Sequence, residues 1–194
     1  MNQERIDRLL SCRKEEGYDD ISYDKQLILE DIYKDPDIFE VLHNTELEKA
    51  GAVPEDYYNV NIYSYLKIPD SQSKVKNFIC FEVNHLDVSY QNKIMITKQV
   101  IIRTVSHKDD VETIYGIDRQ DLLGALIKER LQWSNLLGTQ LVKTYDAGKV
   151  AENGYYYRNI YFTQITPNGL QNRVMSNHLD GRRDYYGQTA DLLR

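Results

Sequence analysis

The sequence predicts an α+β domain built on a mostly antiparallel sheet of about five strands, flanked by helices, with extended N- and C-terminal arms. Three observations predict this class. Apolar residues recur at helical spacing before residue 43 and again over 119–137. They alternate with polar residues in several segments between 60 and 166, as in half-buried strands. The two ends have no sustained period. The predicted organisation is an arm at 1–20, a domain at 21–166 and an arm at 167–194.

Two helices are expected before the first strand. A helix over 24–34 places Leu27, Ile28 and Ile32 toward the core, and Asp35-Pro36 ends it. Pro36 suits the first position of a second helix capped by Asp35, because proline lacks the N–H group that would remain unpaired there. The apolar residues of that helix are Ile38, Phe39, Val41 and Leu42. In the N-terminal arm, Ile6, Leu9 and Leu10 are spaced as one amphipathic turn.

Three strands follow. The first is predicted over 60–68, with Val60, Ile62, Ser64, Leu66 and Ile68 on its inner face. The second and third, over about 77–88 and 93–105, are separated by a turn near Tyr90-Gln91-Asn92. This spacing favours an antiparallel hairpin.

The longest helix is predicted over 119–137. Asp118 is its expected N-cap, and Asp121 places a carboxylate near the positive end of the helix dipole. Gly138 is its expected terminator. The inward stripe comprises Leu122, Leu123, Leu126, Ile127, Arg130 and Trp133, so Trp133 is expected in the core.

The last two strands are predicted over 140–146 and 155–166. Asn153-Gly154 is typical of a type I′ turn between them. On the fifth strand Ile160 and Phe162 share one face, and Tyr155, Tyr157 and Tyr161 share the other.

The charge balance argues against a protein that grips nucleic acid. Lys and Arg number 24 against 30 Asp and Glu, which gives a net charge of −6. Affinity for nucleic acid comes mostly from basic residues that neutralise phosphates, although an acidic surface suits a conduit through which DNA slides. No apolar stretch approaches the roughly 20 residues that a membrane span needs, and the first residues do not resemble a secretory signal.

We expect no enzymatic activity, no catalytic or metal-binding residues and no cofactor. The two cysteines, Cys12 and Cys80, are expected to be reduced thiols of cytosolic origin, and neither has the spacing of a zinc site. The four histidines lack metal-ligand spacing, and no phosphate-binding loop or nucleophile-elbow motif occurs.

One enzymatic alternative stays open. Pro69-Asp70 and Glu82-Val83-Asn84 resemble the proline–acid, acid–any–lysine pattern of a nuclease superfamily whose two carboxylates hold Mg²⁺. Asn84 stands in place of the lysine and cannot carry charge, and an aspartate after proline is commonly a turn residue. The sequence therefore favours a non-enzymatic role over this alternative.

Tyrosine dominates the aromatic residues, with 16 tyrosines against four phenylalanines and one tryptophan. Tyrosine buries a large ring and keeps a hydroxyl for a polar partner, which suits subunit contacts. The alternative is simple strand propensity on a solvated sheet face. The residues predicted to contribute to subunit contacts are Tyr63, Tyr65, Tyr155, Tyr157 and Tyr161.

Several segments carry a family resemblance. They are Gln26-Leu27-Ile28-Leu29-Glu30-Asp31-Ile32 with Asp35-Pro36-Asp37-Ile38, the hairpin from Phe78 to Val105, Gly116-Ile117-Asp118-Arg119-Gln120-Asp121-Leu122-Leu123, and Tyr155-Tyr156-Tyr157-Arg158-Asn159-Ile160-Tyr161-Phe162. In this order they resemble the tail terminator proteins of tailed bacteriophages and, more broadly, the small neck proteins that join head to tail.

The resemblance implies a structural virion protein, assembled in the bacterial host cytoplasm. Such proteins form a ring, typically sixfold, that caps the tail tube and presents a surface to the head–tail connector, with the genome passing through its centre. The implied partners are copies of the chain, the tail tube protein and connector or neck proteins, with no specific DNA binding and no membrane. A head-completion or neck adaptor protein is the nearest alternative. A phage-encoded inhibitor of a host factor, mimicking the charge of DNA, is an alternative of another class.

Overall fold

The computed structural model describes residues 20–67, 77–86, 95–150 and 154–167. Both predicted arms lie almost entirely outside these ranges. Three helices come first, namely α1 (Asp20–Ile32), α2 (Pro36–Leu42) and α3 (Thr45–Ala50). The remaining elements are β1 (Ile62–Tyr63), β2 (Asn77–Leu86), β3 (Met95–His107), α4 (Arg119–Leu131), β4 (Val142–Val150) and β5 (Tyr155–Pro167). Short 3₁₀ turns occupy Pro54–Tyr57 and Lys108–Asp110.

The strands form one five-stranded sheet in the order β1-β2-β3-β5-β4. β1 pairs with β2 in parallel, and the other three pairings are antiparallel. The predicted hairpin is present, with Phe78 opposite Val105, and β3 continues as the central strand opposite β5. The predicted α+β class, with a mostly antiparallel five-stranded sheet and flanking helices, is confirmed.

One face of the sheet is covered by the helices, and we call it the covered face. The core on this side has two layers. Apolar side chains at every second position of β2, β3 and β5 form one layer, and apolar side chains of α1, α2 and α4 form the other. Its fully buried members include Ile28, Ile38, Leu42, Phe81, Ile102, Leu123, Ile160 and Phe162. Pro36 begins α2 as predicted, and Asp35 Oδ1 accepts a 3.1 Å hydrogen bond from the Asp37 N–H.

The opposite side, which we call the open face, carries the intervening residues of the same strands. Only one end of it is closed within the described residues, by a small cluster of Tyr63, Phe78, Cys80, Val105 and Tyr155. Along the rest, side chains such as those of Ile101, Tyr157 and Tyr161 remain partly exposed. The sheet is therefore asymmetric, with a packed core on one side and an incompletely covered surface on the other.

The predicted strand over 60–68 is wrong in length, because only Ile62 and Tyr63 pair with β2. Burial does not alternate here: Asn61, Ile62 and Tyr63 are all buried. Asn61 is held by its side chain, which donates a 2.8 Å hydrogen bond to the Asn77 carbonyl. The chain then bends at 64–65 and leaves the sheet. Ile68 lies outside the described residues.

The helix predicted over 119–137 ends at Leu131, and Trp133 is not in the core. Trp133 adopts a left-handed backbone (φ 66°), and 60% of the residue is exposed. Its N–H donates to the Leu141 carbonyl at 2.8 Å, so the chain turns back toward β4 instead of continuing the helix. Leu137 and Leu141 take the buried positions beyond the helix end. Gly138 (φ 108°) therefore belongs to this turn and does not cap the helix.

The structure also corrects two details at the ends of α4. Asp118 is the N-cap residue but makes no side-chain capping bond. Arg130 pairs with Asp31 and Asp35 at 2.9 and 3.4 Å instead of entering the apolar stripe.

Candidate assembly surfaces

The five tyrosines predicted to contact neighbouring subunits fall into two groups. Tyr63 and Tyr155 are only 3% and 1% exposed, inside the small cluster on the open face. The Tyr63 hydroxyl donates to the Val60 carbonyl at 2.5 Å and accepts a hydrogen bond from Lys67 Nζ at 2.7 Å. The Tyr155 ring packs against His107 at 4.8 Å between centroids. Because both rings are used within the subunit, they are unsuited to direct contact with another one.

The other three predicted tyrosines keep surface available. Tyr65 is 47% exposed, and its ring meets the edge of Tyr63. Tyr157 is partly buried under the Arg103 guanidinium, whose carbon lies 5.0 Å from the ring centroid. The ring of Tyr161 packs against the ring of Tyr145, which lies directly opposite on β4, with 4.8 Å between the ring centroids and a tilt of 36°. These tyrosines form a partly exposed aromatic surface on the open face.

Three more exposed apolar side chains, one of them aromatic, extend this surface along β4 and toward the far end of β5. Ile165 is 61% exposed, and Val142 and Tyr145 on the edge strand β4 are 37% and 39% exposed. We call Val142, Tyr145, Tyr157, Tyr161 and Ile165 the open-face patch. An exposed apolar patch of this kind is typical of protein–protein contact. Tyr145 was missed in the sequence because its neighbour across the sheet depends on a register that the turn signal did not predict.

A second exposed apolar surface lies on the helical side of the molecule. In the segment before α4, Ile114 is 92%, Tyr115 60% and Ile117 48% exposed. Beside it runs a groove of about 400 Å³ between α2 and α4. Its floor is apolar and its edge carries two carboxylates, the lining being Asp37, Glu40, Val41, Tyr115, Ile117, Leu122 and Leu126. We call this feature the acidic groove.

A buried arginine fixes the geometry of the acidic groove. Arg119, only 8% exposed, donates to the Val41 carbonyl at 2.8 Å and to the Asp110 carbonyl at 2.8 Å. It also bonds the Asp110 carboxylate at 3.1 Å and the Glu112 carbonyl at 3.3 Å. These bonds tie the end of α2 to the start of α4. The relative position of the two helices that border the groove is therefore held by bonds within the chain.

The Asp110 carboxylate is itself the centre of a polar cluster. Asn77 Nδ2 donates to Asp110 at 2.6 Å, and His43 Nδ1 lies 3.1 Å from both carboxylate oxygens. Residues of this cluster line a cleft of about 310 Å³. The lining of this cleft includes one hydroxyl side chain, that of Thr45. In the part of the chain that the structure describes, no group of three or more His, Cys, Asp or Glu residues is placed to hold a metal ion.

The residues of the nuclease alternative are only partly placed. Glu82 lies on β2 and forms an ion pair with Lys25 of α1. Asn84 lies on the same strand, opposite Gln99. Asp70 is outside the described residues, so its distance to Glu82 is not defined.

The hairpin of β4 and β5, which we call the edge hairpin, is attached to α4 by a network of charged side chains. Arg158 makes two bonds to the Asp146 carboxylate, at 2.6 and 2.8 Å, and a third to the Asp121 carbonyl at 3.0 Å. Hydrogen bonding from Arg158, assisted by Lys143, lowers the pKa of Asp146 to about 2. This network fixes β4, and with it Tyr145, relative to the helical layer.

Cys80 is fully buried, and burial raises the pKa of its thiol to about 11. A buried thiol with a raised pKa is a poor nucleophile. Cys12 lies outside the described residues. No helix in the described ranges is both long and apolar enough to cross a bilayer.

Comparison with known proteins yields a family and distant structural similarities. A search among curated proteins finds no match. A chain from a structure titled "Virion of native gene transfer agent (GTA) particle" has a TM-score of 0.42 and 10% identity. The alignment covers 68% of this chain and 92% of that chain, and a similarity at this level supports no argument about fold or function. The YomW family model matches residues 35–164, from the cap of α2 through most of β5, and the chain therefore belongs to the YomW family.

Proposed function

We propose that this protein is a non-enzymatic structural component of a phage-like virion, where it forms a ring at the junction of head and tail. The ring caps the tail tube and joins it to the connector, and the genome passes through its centre. The proposal starts from the resemblance of residues 24–166 to tail terminator proteins. The fold has the helices and strands in the order expected from that resemblance, with one additional short helix, α3, before the first strand.

The observation that carries the proposal is the open-face patch. A monomeric protein with this sheet would gain stability by covering Tyr145, Tyr161 and Ile165, yet no described residue packs over them as the helices do on the other side. A closed ring has heterologous interfaces, in which two different surfaces of each subunit meet. The open-face patch and the acidic groove lie on opposite layers of the subunit, and each is available for such a contact.

Two sites that could suggest an enzymatic function, the Asp110 cluster and the residues of the nuclease alternative, are less well supported than the assembly role. The Asp110 cluster pairs a histidine with a carboxylate, but within the described residues no hydrogen bond joins His43 to Thr45, the hydroxyl residue of the same cleft. Glu82 is already paired with Lys25, which weakens its use as a magnesium ligand. Cleavage of plasmid DNA with Mg²⁺, lost on both Asp70→Ala and Glu82→Ala, would instead favour the nuclease alternative.

The direct test is assembly by the purified chain. We expect sedimentation and negative-stain electron microscopy to show closed rings, or rings seated on tail tubes. The double variant Tyr145→Ser/Tyr161→Ser should assemble at least about tenfold less well while keeping its fold, because interface tyrosines often contribute more than 1 kcal/mol each.

Tyr23→Ser/Tyr58→Ser is the matched control, because Tyr23 and Tyr58 have similar exposure (37% each) but lie away from the open face. A chain that stays monomeric with and without tail tubes would contradict the proposal. A stable monomer or dimer that binds a host factor would favour the inhibitor alternative, and a ring that binds heads but not tubes would favour a neck adaptor.

A further inference from the structure

We propose that the acidic groove is the docking site for residues 5–14 from the N-terminal arm of a neighbouring copy. The inference rests on the self-association in the proposed function and names the contact that links one subunit to the next. It does not depend on where in a particle the ring lies.

The groove presents an apolar floor with unpaired acidic edges. Leu122 and Leu126, one turn apart on α4, line the floor beside Val41 and Ile117. Within the described residues, neither Asp37 nor Glu40 forms an ion pair, and Glu40 accepts only a 3.4 Å hydrogen bond from the Tyr115 hydroxyl. The matching ligand is an apolar segment that carries basic residues.

Further acidic residues extend this field along the exposed segment. Glu112 and Asp118 are exposed there and form no ion pair in the part of the chain that the structure describes. Arg119, the basic residue at the start of α4, is buried and fully used by Asp110 and backbone carbonyls. The charged side chains that line the groove, and those exposed in the segment 111–118 beside it, are therefore all acidic.

The N-terminal arm has the complementary composition. Residues 5–14 contain four basic side chains against one acidic side chain, although the whole chain is acidic. Ile6, Leu9 and Leu10 follow i, i+3, i+4 spacing, the pattern of anchors with which a segment fills a groove between helices. Arg5 and Arg8 flank the apolar residues and would face Asp37 and Glu40.

The occupant is the arm of a second copy because a closed ring needs two different, matching surfaces on each chain. The arm and the groove are such a pair. The six residue-to-residue steps from Lys14, the last residue of the docked segment, to Asp20, the first residue of α1, span up to about 20 Å when extended. Docking on a neighbour would also bury Ile114, Tyr115 or Ile117 at the edge of the contact.

Cysteine cross-linking tests the contact in the full-length protein. One preparation carries Glu40→Cys with Cys12→Ser, and the other is the wild-type chain with a tag, whose reactive thiol is Cys12 because Cys80 is buried. A short bismaleimide should give a mixed covalent dimer of the two chains. The matched control is Glu129→Cys with Cys12→Ser, since Glu129 is exposed on α4 but does not line the groove.

A charge exchange tests the same contact without cross-linking. Glu40→Arg should weaken self-association at least about tenfold, and Arg8→Glu in the same chain should restore most of it, since opposite charges that meet across an interface can be exchanged. Glu129→Arg should change little.

Each result decides the matter. A mixed dimer with Glu40→Cys but not with Glu129→Cys, together with charge-exchange rescue, supports the proposal. Rings that form without the mixed dimer and resist Glu40→Arg overturn it and leave the proposed function intact. A chain that never self-associates overturns both this inference and the proposed ring.

Discussion

The two faces of the sheet use the same strands for different purposes. On β5, Ile160 and Phe162 are fully buried under the helices, whereas Tyr161 and Ile165 on the other side remain partly or largely exposed. The covered face holds the fold together, and in the proposed ring the open face contacts a neighbouring subunit. Alternate positions of one strand can therefore carry stability and assembly separately, and substitutions should separate the two properties.

The largest expected effect is a difference in stability loss between substitutions on the two faces of β5. Phe162→Ala should lower the free energy of unfolding by about 3–5 kcal/mol, because it removes a fully buried ring and leaves a cavity. Ile165→Ala, three residues along and 61% exposed, should cost less than about 0.5 kcal/mol. Urea unfolding of both variants measures this, and equal losses would contradict the asymmetry.

The next effect concerns the contact of α4 with the edge hairpin. A Cβ atom on Gly124 would lie 2.9 Å from Arg158 Cδ, and Arg158 cannot move away without breaking its bonds to Asp146 and Asp121. Gly124→Ala should therefore destabilise the protein by about 1–3 kcal/mol despite the better helix propensity of alanine. In an Arg158→Ala background the same change should become neutral or stabilising. Thermal unfolding of the double-mutant cycle tests this, and additive losses would rule out the clash.

Acid should weaken the same network. Because the pKa of Asp146 is lowered to about 2, its contribution to stability is full above about pH 4 and is lost as the pH falls toward 2. The partly solvent-screened pair should contribute on the order of 1–2 kcal/mol. Asp146→Asn should flatten this part of the stability–pH curve, because the variant has no carboxylate to protonate at this position. Identical curves for wild type and Asp146→Asn would show that the pair contributes nothing.

The smallest effect is expected at the exposed tryptophan. Trp133→Gly should change the free energy of unfolding by less than about 1 kcal/mol, since glycine tolerates the left-handed backbone and little buried area is lost. A loss of about 3 kcal/mol or more would instead place Trp133 in the core, as the helical spacing predicted.

The sequence was most informative where the spacing of residues directly sets burial. The alternation of Ile160 and Phe162 with Tyr155, Tyr157 and Tyr161 was visible in the sequence and holds in the sheet. Pro36 and the cap residue Asp35 predicted the break between α1 and α2, because proline fixes its own backbone conformation and restricts that of the residue before it.

Tertiary contacts decided the rest. Trp133 continues the helical spacing, but the hydrogen bond from its N–H to Leu141 ends the helix. Tyr63 lies on the face predicted to be solvated, yet Phe78 and Lys67 enclose it. A two-residue turn at Asn153-Gly154 would pair Asp146 with Tyr161. The actual register is shifted by one and places Tyr145 there instead. A one-residue shift changes which side chains share a face, and no local signal specifies it.

The central claim is that this chain is a building block of a particle, positioned between its head and its tail. Electron microscopy of intact particles carrying an epitope-labelled copy of the chain tests it most directly. We expect label at one level only, where the tail tube meets the head, with several copies arranged around the axis. Label confined to unassembled protein, with none on mature particles, would contradict it.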